Sequence, residues 1–251
     1  DGQVVEIKIV NRYVRGNIQL TKVDSEYPDN KLTGATFEVY KDSNANGKLD
    51  DGDELLGTLT EKEIGEYGMN DLFYGRYFVK ETKAPEGFIL DTGVYEVMID
   101  TNGKTYEVEN KAGVGFINDA MRGNLKIVKT SSDGKVKGFA FRITGANGYD
   151  IILETNDKGE IFIDGLRIGD YTISEVNNSA SSMYVIPADK KATVKLGSTT
   201  IVEMHNVLRD TPKTGDTTNL PLLYALAGLS AVGIAVCGVI GFKKKKKEDR
   251  N

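Results

Sequence analysis

The chain has 251 residues, which is enough for two domains of common size and a short tail. Its formal net charge is −5, and five of its basic residues are consecutive lysines near the C-terminus, Lys243 to Lys247. The part before those lysines is acidic and has no basic patch, which argues against nucleic-acid binding. The single cysteine, Cys237, excludes a disulfide within the chain.

The chain begins within a predicted strand, residues 4–9, and it has no N-terminal signal peptide. We expect residues 1–15 to be the closing strand of a preceding domain plus a linker. We therefore expect this chain to be the C-terminal part of a longer exported protein.

An internal repeat divides the chain. Residues 11–22 (NRYVRGNIQLTK) match residues 118–129 (NDAMRGNLKIVK), and a shorter third copy occupies residues 206–209 (NVLR). Each copy closes one domain with an asparagine, and the two longer copies open the next domain with a strand that ends in lysine. This predicts one domain at 16–119 and a second at 123–207.

Inside both domains the apolar residues alternate in short runs that turn dipeptides separate. The turn signals include Asn46-Gly47, Asn102-Gly103 and Asn147-Gly148. Runs at 36–40 and 75–81 have counterparts at 140–144 and 169–175. The pattern predicts an all-β chain with two tandem β-sandwiches of roughly seven strands each.

Three polar residues in each domain break the alternation, because they fall in phase with the apolar side chains of their strands. In the opening strand of the first domain, Lys22 shares a face with Ile18 and Leu20. A glutamate in a middle strand and an asparagine in the closing strand behave in the same way. The two trios are Lys22, Glu81 and Asn118 in the first domain, and Lys129, Glu175 and Asn206 in the second. Asn110 is an alternative to Asn118 as the asparagine of the first trio, since it is in phase with Tyr106 and Val108.

Two interpretations of the trios are open. The first is a buried lysine–glutamate pair with a hydrogen-bonded asparagine, which would avoid the cost of burying a lone charge. The second is an amide bond between lysine and asparagine. Burial would leave the lysine amine neutral and able to attack, and the glutamate protonated and able to donate to the asparagine carbonyl and then to the departing ammonia. Recurrence of the trio favours the reaction, which runs once per molecule and so does not make the protein an enzyme.

Residues 77–88 (YFVKETKAPEGF) resemble the E-box of the Cna-B, or SpaA-like, domains of Gram-positive pili and adhesins. The resemblance implies prealbumin-like (inverse immunoglobulin-type) sandwiches, each closed by an intramolecular Lys–Asn isopeptide bond that the E-box glutamate assists, with no cofactor required. It assigns Lys22–Asn118 with Glu81, and Lys129–Asn206 with Glu175. The second domain departs from the motif after Glu175, where VNNSA replaces the Ala-Pro-x-Gly portion.

The C-terminal segment has three parts: a TPKTG motif within the linker 208–219, an apolar run at 220–242 and a basic tail at 243–251. The apolar run is long enough for a transmembrane helix, and the lysines predict a cytoplasmic tail. The order resembles the LPxTG-type sorting signal of Gram-positive surface proteins. It implies that a sortase cuts after Thr214 and joins it to peptidoglycan or to a pilin subunit. The motif residues are Thr211, Pro212, Lys213, Thr214 and Gly215, with Thr211 in place of the usual leucine.

Residues 42–53 (DSNANGKLDDGD) fit the oxygen spacing of an EF-hand calcium loop, with glycine at its sixth position. The predicted Ca²⁺ ligands are Asp42, Asn44, Asn46, Lys48, Asp50 and Asp53. The last position usually holds glutamate and no helices flank the loop, so an acidic, solvated hairpin turn is the alternative. The only histidine, His205, faces away from Asn206, which argues against a metal site or a nucleophilic triad built on it.

Together these features predict a secreted, cell-wall-anchored stalk of an adhesin or pilus component. It would lie in the membrane before sorting and meet a host or cell-surface ligand through upstream domains. Two alternatives stay open. The domains could be spacers of a surface enzyme whose catalytic domain lies upstream, or the protein could remain a single-pass membrane protein if Thr211 blocks sortase.

Overall fold

The computed structural model describes residues 6–210, which form seventeen strands and one short 3₁₀ helix in four sheets. Both predicted sandwiches are present, so the all-β prediction is confirmed. They belong to one compact unit that extends to Val207. We call strands β1–β9 the first sandwich and strands β10–β17 the second sandwich.

The first sandwich packs two sheets against each other. One sheet has the order β4-β5-β1-β8, with β9 also paired to β1, and the other has the order β3-β2-β6-β7. The strands are β1 (Arg15–Asp24), β2 (Thr36–Lys41), β3 (Glu54–Thr58), β4 (Thr60–Glu63), β5 (Glu66–Phe73), β6 (Gly75–Lys83), β7 (Val94–Ile99), β8 (Thr105–Glu107) and β9 (Phe116–Asn118).

The second sandwich repeats the arrangement, with sheets β13-β10-β17-β15 and β12-β11-β14-β16. Its strands are β10 (Arg122–Ser131), β11 (Ala140–Thr144), β12 (Asp150–Glu154), β13 (Glu160–Arg167), β14 (Gly169–Val176), β15 (Tyr184–Val185), β16 (Lys190–Val194) and β17 (Thr199–Leu208), and the 3₁₀ helix is Ala146–Gly148. Each sandwich encloses its own apolar cluster, because alternate side chains of both sheets point inward.

Within residues 6–210 the sandwiches have nine and eight strands, more than the seven expected for each. Short edge strands such as β15 add to the count. In the first sandwich the closing strand is also interrupted by the loop at 108–115, which divides it into β8 and β9.

The first and last strands of each sandwich lie side by side and parallel. β1 pairs with both β8 and β9, and β10 pairs with β17 from Asn124 to Ser131. The register is equivalent in the two sandwiches, because Lys22 lies opposite Phe116 and Lys129 opposite Met204. In both, the residue two positions further on is an asparagine. This register brings the lysine and the asparagine of each trio to neighbouring strands.

The Gly-Asn pair of the repeat has a structural reason in each sandwich. A Cβ atom on Gly123 would lie 2.1 Å from the carbonyl oxygen of Lys195, so only glycine fits there. The next residue, Asn124, accepts the backbone N–H of Gly165 at 3.0 Å. In the first sandwich Asn17 accepts the N–H of Asp71 in the same way, at 3.1 Å. The Gly-Asn pair of the repeat therefore lies where the opening strand of each sandwich, β1 or β10, begins to pair with its neighbours.

The sorting motif and the predicted transmembrane helix at 220–242 lie outside the described residues. Among residues 6–210, none of the helical segments is long and apolar enough to cross a bilayer.

Candidate functional site

Each trio comes from both sheets of its sandwich. The lysine and the asparagine belong to the first and last strands, while the glutamate is on the facing sheet, on β6 or β14. Glu81 pairs in register with Phe37, and Glu175 with Phe141, so the two glutamates occupy equivalent places. All six side chains that the alternation predicted to point inward are buried: Lys22, Glu81, Asn118, Lys129, Glu175 and Asn206.

In the first sandwich Asn118 contacts both other side chains of the trio. The Nζ atom of Lys22 donates to Oδ1 of Asn118 at 2.6 Å and to the carbonyl oxygen of Phe116 at 3.0 Å. The Nδ2 atom of Asn118 donates to both carboxyl oxygens of Glu81, at 2.9 and 3.1 Å. The glutamate therefore faces the nitrogen that would leave as ammonia. The sequence predicted that Glu81 would donate to the carbonyl oxygen of Asn118. In the structure Lys22 contacts that oxygen instead.

The surroundings favour the neutral forms of the two ionisable groups. Burial lowers the pKa of Lys22 to about 8, although the nearby carboxyl groups of Glu81, Asp91 and Asp24 oppose this shift. Burial also raises the pKa of Glu81, against the hydrogen bonds from the Asp91 N–H and from Asn118. A neutral amine can attack a carboxamide carbon, and a protonated acid can supply the proton that ammonia needs in order to leave. The first site thus holds the groups that this reaction requires.

A second set of polar residues supports the first site, and two of them, Asp91 and Tyr95, were not singled out by the strand pattern. The backbone N–H of Asp91 donates to Glu81 at 2.8 Å and fixes that carboxyl group. The carboxylate of Asp91 accepts from Tyr95 at 2.9 Å and from Asn110 at 2.7 Å. A cavity of about 300 Å³ beside the site is lined by Asp91, Asn110 and Asn118, among others.

The rival acceptor, Asn110, has a different set of contacts. Its Oδ1 accepts the backbone N–H of Ile117 at 2.7 Å, and its Nδ2 donates to the carbonyl oxygen of the same residue at 2.8 Å. Asn110 therefore holds β9 in place next to Asn118. The hydrogen bond from Lys22 goes to Asn118.

The second sandwich brings its trio together less completely. Nδ2 of Asn206 donates to Oε1 of Glu175 at 2.7 Å, which matches the first site. The Nζ atom of Lys129, however, donates to the carbonyl oxygen of Thr130 and lies 4.0 Å from the centre of the Phe139 ring. Burial lowers the pKa of Lys129 and raises that of Glu175. The described contacts leave Oδ1 of Asn206 and Oε2 of Glu175 buried without a hydrogen-bond partner.

A search against protein-family models places both sandwiches in one family. The SpaA prealbumin-like fold domain matches residues 16–112 and again residues 123–207, which together exceed half of the chain. The chain belongs to this SpaA family. The two matched ranges coincide with the two sandwiches of the structure.

The SpaA chain is also similar to one curated surface protein and to several solved structures. It is 26% identical over 204 residues to the trypsin-resistant surface T6 protein of Streptococcus pyogenes serotype M6, a match that covers 69% of this chain and 35% of that protein. Among solved structures, the Bacillus anthracis TIE protein matches with 25% identity and a TM-score of 0.58, covering 77% of this chain and 34% of that one. The chain thus spans about a third of the length of both. The minor pilin GBS52 of Streptococcus agalactiae is 19% identical with a TM-score of 0.38, covering 79% of this chain and 98% of that one.

The predicted calcium loop lies between β2 and β3 of the first SpaA sandwich, and its polar groups bind one another. Asp42 accepts the backbone N–H groups of Asn46 and Gly47, both at 3.1 Å, and lies 3.5 Å from Arg76. The amides of Asn44 and Asn46 donate to Asp50. The described part of the chain contains no group of three or more His, Cys, Asp or Glu side chains that could hold a metal. Calcium binding here stays a prediction that rests on the loop spacing.

The histidine His205 and the sorting motif are the remaining features that the sequence singled out. His205 is exposed and shares a hydrogen bond with the hydroxyl of Thr130 at 2.8 Å, on the side of β17 opposite the buried Asn206. The sortase-motif residues 211–215 lie outside the described residues, so anchoring stays a prediction.

Proposed function

We propose that this SpaA chain is a structural stalk of a Gram-positive cell-surface protein and that a Lys–Asn isopeptide bond closes each sandwich. The observation that carries the proposal is the contact of Lys22, Asn118 and Glu81, with the same three residue types buried in equivalent places in the second sandwich. The similarity to a streptococcal surface protein supports the location outside the cell.

The reaction needs no oxidant and no cofactor. The neutral amine of Lys22 attacks the carboxamide carbon of Asn118, a C–N bond forms, and the bond from that carbon to Nδ2 breaks. Glu81 receives the proton that the amine loses and passes a proton to the departing nitrogen, which lies 2.9 Å away. One ammonia molecule leaves for each bond. Lys129, Glu175 and Asn206 perform the same steps in the second sandwich.

The bonds would strengthen the stalk in two ways. Each would close a loop of most of a sandwich, which in the chain-entropy model stabilises the fold by about 4–5 kcal/mol. Each would also join the first strand to the last. A pulling force along the chain would then pass through a covalent bond rather than through the hydrogen bonds of the sheets.

The C-terminal motif completes the proposal. Sortase would cut between Thr214 and Gly215 and join Thr214 to peptidoglycan or to a pilin subunit, and any binding to a host would reside in upstream domains. Muralytic digestion of a cell wall should then release protein that lacks residues 215–251. Protein that keeps its tail and stays in the membrane fraction would instead favour the single-pass alternative.

Intact mass spectrometry of the full chain tests the bonds. We expect the mass to be lower than that of the sequence by two ammonia molecules. Glu81→Ala and Glu175→Ala should each restore one of them, because each removes one proton carrier. A folded chain whose mass equals that of its sequence, with no ammonia lost, would contradict the proposal. The matched control is Glu107→Ala, since Glu107 is a carboxyl group of the first sandwich that contacts Thr21 rather than either trio.

A further inference from the structure

The last residue of β1, Asp24, carries a buried carboxylate that pairs with the second sandwich. Asp24 is only 1% exposed, and Arg167 at the end of β13 holds both of its oxygens, at 2.5 and 2.7 Å. Arg167 also donates to Glu26 at 2.7 Å, and its guanidinium lies 4.9 Å from the centre of the Tyr27 ring. A bidentate, largely buried ion pair of this kind has a fixed geometry.

Asp24 is also part of the surroundings of the first cross-link site. It lies two residues after Lys22 on β1, so the two side chains share a face and their Cα atoms are about 7 Å apart. In the register of the sheet, Asp24 lies opposite Asn118. The following residue, Ser25, donates its N–H to the carbonyl oxygen of Asn118 at 3.1 Å.

An unpaired carboxylate at this place would hinder the reaction. Asp24 is one of the groups that oppose the lowering of the Lys22 pKa, together with Glu81 and Asp91. A negative charge nearby stabilises the ammonium form of a lysine, which cannot attack a carboxamide. The guanidinium of Arg167 offsets that charge.

We propose that Arg167 of the second sandwich is a positioning residue for cross-link formation in the first sandwich, because it neutralises Asp24 and so leaves the Lys22 amine free to react. The inference rests on the proposed function of the Lys22–Asn118 pair. It makes the first bond depend on docking of the second sandwich, so the bond forms once the two modules are stacked.

The second sandwich provides an internal contrast. Ser131, opposite Asn206, occupies the place that Asp24 has in the first sandwich. The next carboxylate along the chain, Asp133, accepts from Ser131 at 2.9 Å and from Tyr184 at 2.7 Å. Asp133 opposes the lowering of the Lys129 pKa, as Asp24 does for Lys22. The partners of Asp133 are Ser131, Tyr184 and Lys135, which all belong to the second sandwich, so this site does not need an arginine from another module.

The test follows bond formation in the full chain made by cell-free synthesis, with samples quenched at intervals, digested and analysed for the two linked peptides. Arg167→Ala should slow formation of the Lys22–Asn118 peptide about tenfold. A rise of one unit in the pKa of Lys22 lowers the fraction of neutral amine by that factor below the pKa. The Lys129–Asn206 peptide of the same molecules should form at the wild-type rate, which shows that the second sandwich has folded. The matched control is Arg142→Ala, since Arg142 pairs with Asp150 within the second sandwich.

The double variant Asp24→Asn/Arg167→Ala separates the electrostatic role from packing. It lacks the same arginine but also lacks the negative charge, so we expect the wild-type rate. The rate of Arg167→Ala should also rise towards wild type at higher pH. The charged groups that face Lys22 are Glu81, Asp91 and Asp24. Asp24 pairs with Arg167, which also pairs with Glu26, and Glu26 pairs in turn with Arg122.

Three results would overturn the inference: an unchanged rate in Arg167→Ala, a double variant that stays slow, or an Asp24→Asn single variant that links more slowly than wild type. If Arg167→Ala does not fold, the rate of the Asp24→Asn variant tests the inference by itself. A wild-type chain that yields neither linked peptide would refute the proposed function itself, which distinguishes the two failures.

Discussion

Lys22 and Lys129 occupy the same register but have different surroundings. Lys22 donates to Asn118, whereas Lys129 donates to the carbonyl oxygen of its neighbour Thr130 and lies over the Phe139 ring. The acceptor of the second site, Oδ1 of Asn206, is buried without a partner, a state that costs roughly 1–3 kcal/mol. A change of the Lys129 rotamer towards Asn206 would relieve this cost, and we expect the second bond to need that step.

The shifted pKa of Lys22 gives an unlinked variant a defined pH dependence. In Asn118→Ala, which cannot form the bond, Lys22 should keep a folded-state pKa near 8 against 10.5 when unfolded. Between these values the unfolded chain holds a proton that the folded chain lacks, so the free energy of unfolding should rise with pH, by about 3 kcal/mol in total. Below pH 8 this contribution should be constant.

Denaturant titrations from pH 7 to 10.5 measure this effect. The double variant Asn118→Ala/Lys22→Met is the control, because it keeps every other titrating group. Parallel curves for the two variants would contradict a lowered pKa of Lys22.

The identity of the acceptor asparagine can be tested directly. Asn118→Ala should abolish the loss of ammonia from the first sandwich. Asn110→Ala should retain it with slower formation, because Asn110 holds the backbone of Ile117 and does not contact Lys22 in the structure. Intact mass measures both variants. Retention of the loss in Asn118→Ala together with its disappearance in Asn110→Ala would make Asn110 the acceptor.

At the level of strands, the alternation of inward and outward side chains was the sequence feature that identified the candidate site. Strand alternation alone predicts that Lys22, Glu81 and Asn118 point inward, and the repeat predicts which asparagine closes each module. The roles of Asp91 and of Asp24 could not be predicted in the same way. Asp91 lies in a loop whose path has no period, and Asp24 depends on how one sandwich packs against the other.

The strands also explain why the repeat keeps its glycines. A Cβ atom at Gly123 would meet the Lys195 carbonyl oxygen at 2.1 Å, whereas at Gly16 it would meet that of Lys104 at 2.9 Å. Gly123→Ala should therefore destabilise the second sandwich by about 1–3 kcal/mol, the usual cost of overpacking. Gly16→Ala should cost less. Chemical denaturation of both variants measures the order, and equal stabilities or the reverse order would contradict this account.

If both bonds form, the two sandwiches together transmit tension along the stalk. The described contacts between them include the Arg167–Asp24 pair and the ion pair of Arg122 with Glu26. The SpaA fold supplies parallel first and last strands, and the proposed reaction of the trio would turn that adjacency into a covalent link. Fold membership follows from sequence similarity, whereas mechanical strength depends on whether the link forms.

Single-molecule pulling from the two ends of the chain tests this claim most directly. With both bonds in place, neither sandwich should extend between its lysine and its asparagine at any force that leaves the backbone intact. The Glu81→Ala/Glu175→Ala variant should unfold, and its first sandwich should release roughly 300 Å of chain between Lys22 and Asn118. A wild-type chain that also releases this length would show that no bond joins the first strand to the last, and the account would be wrong.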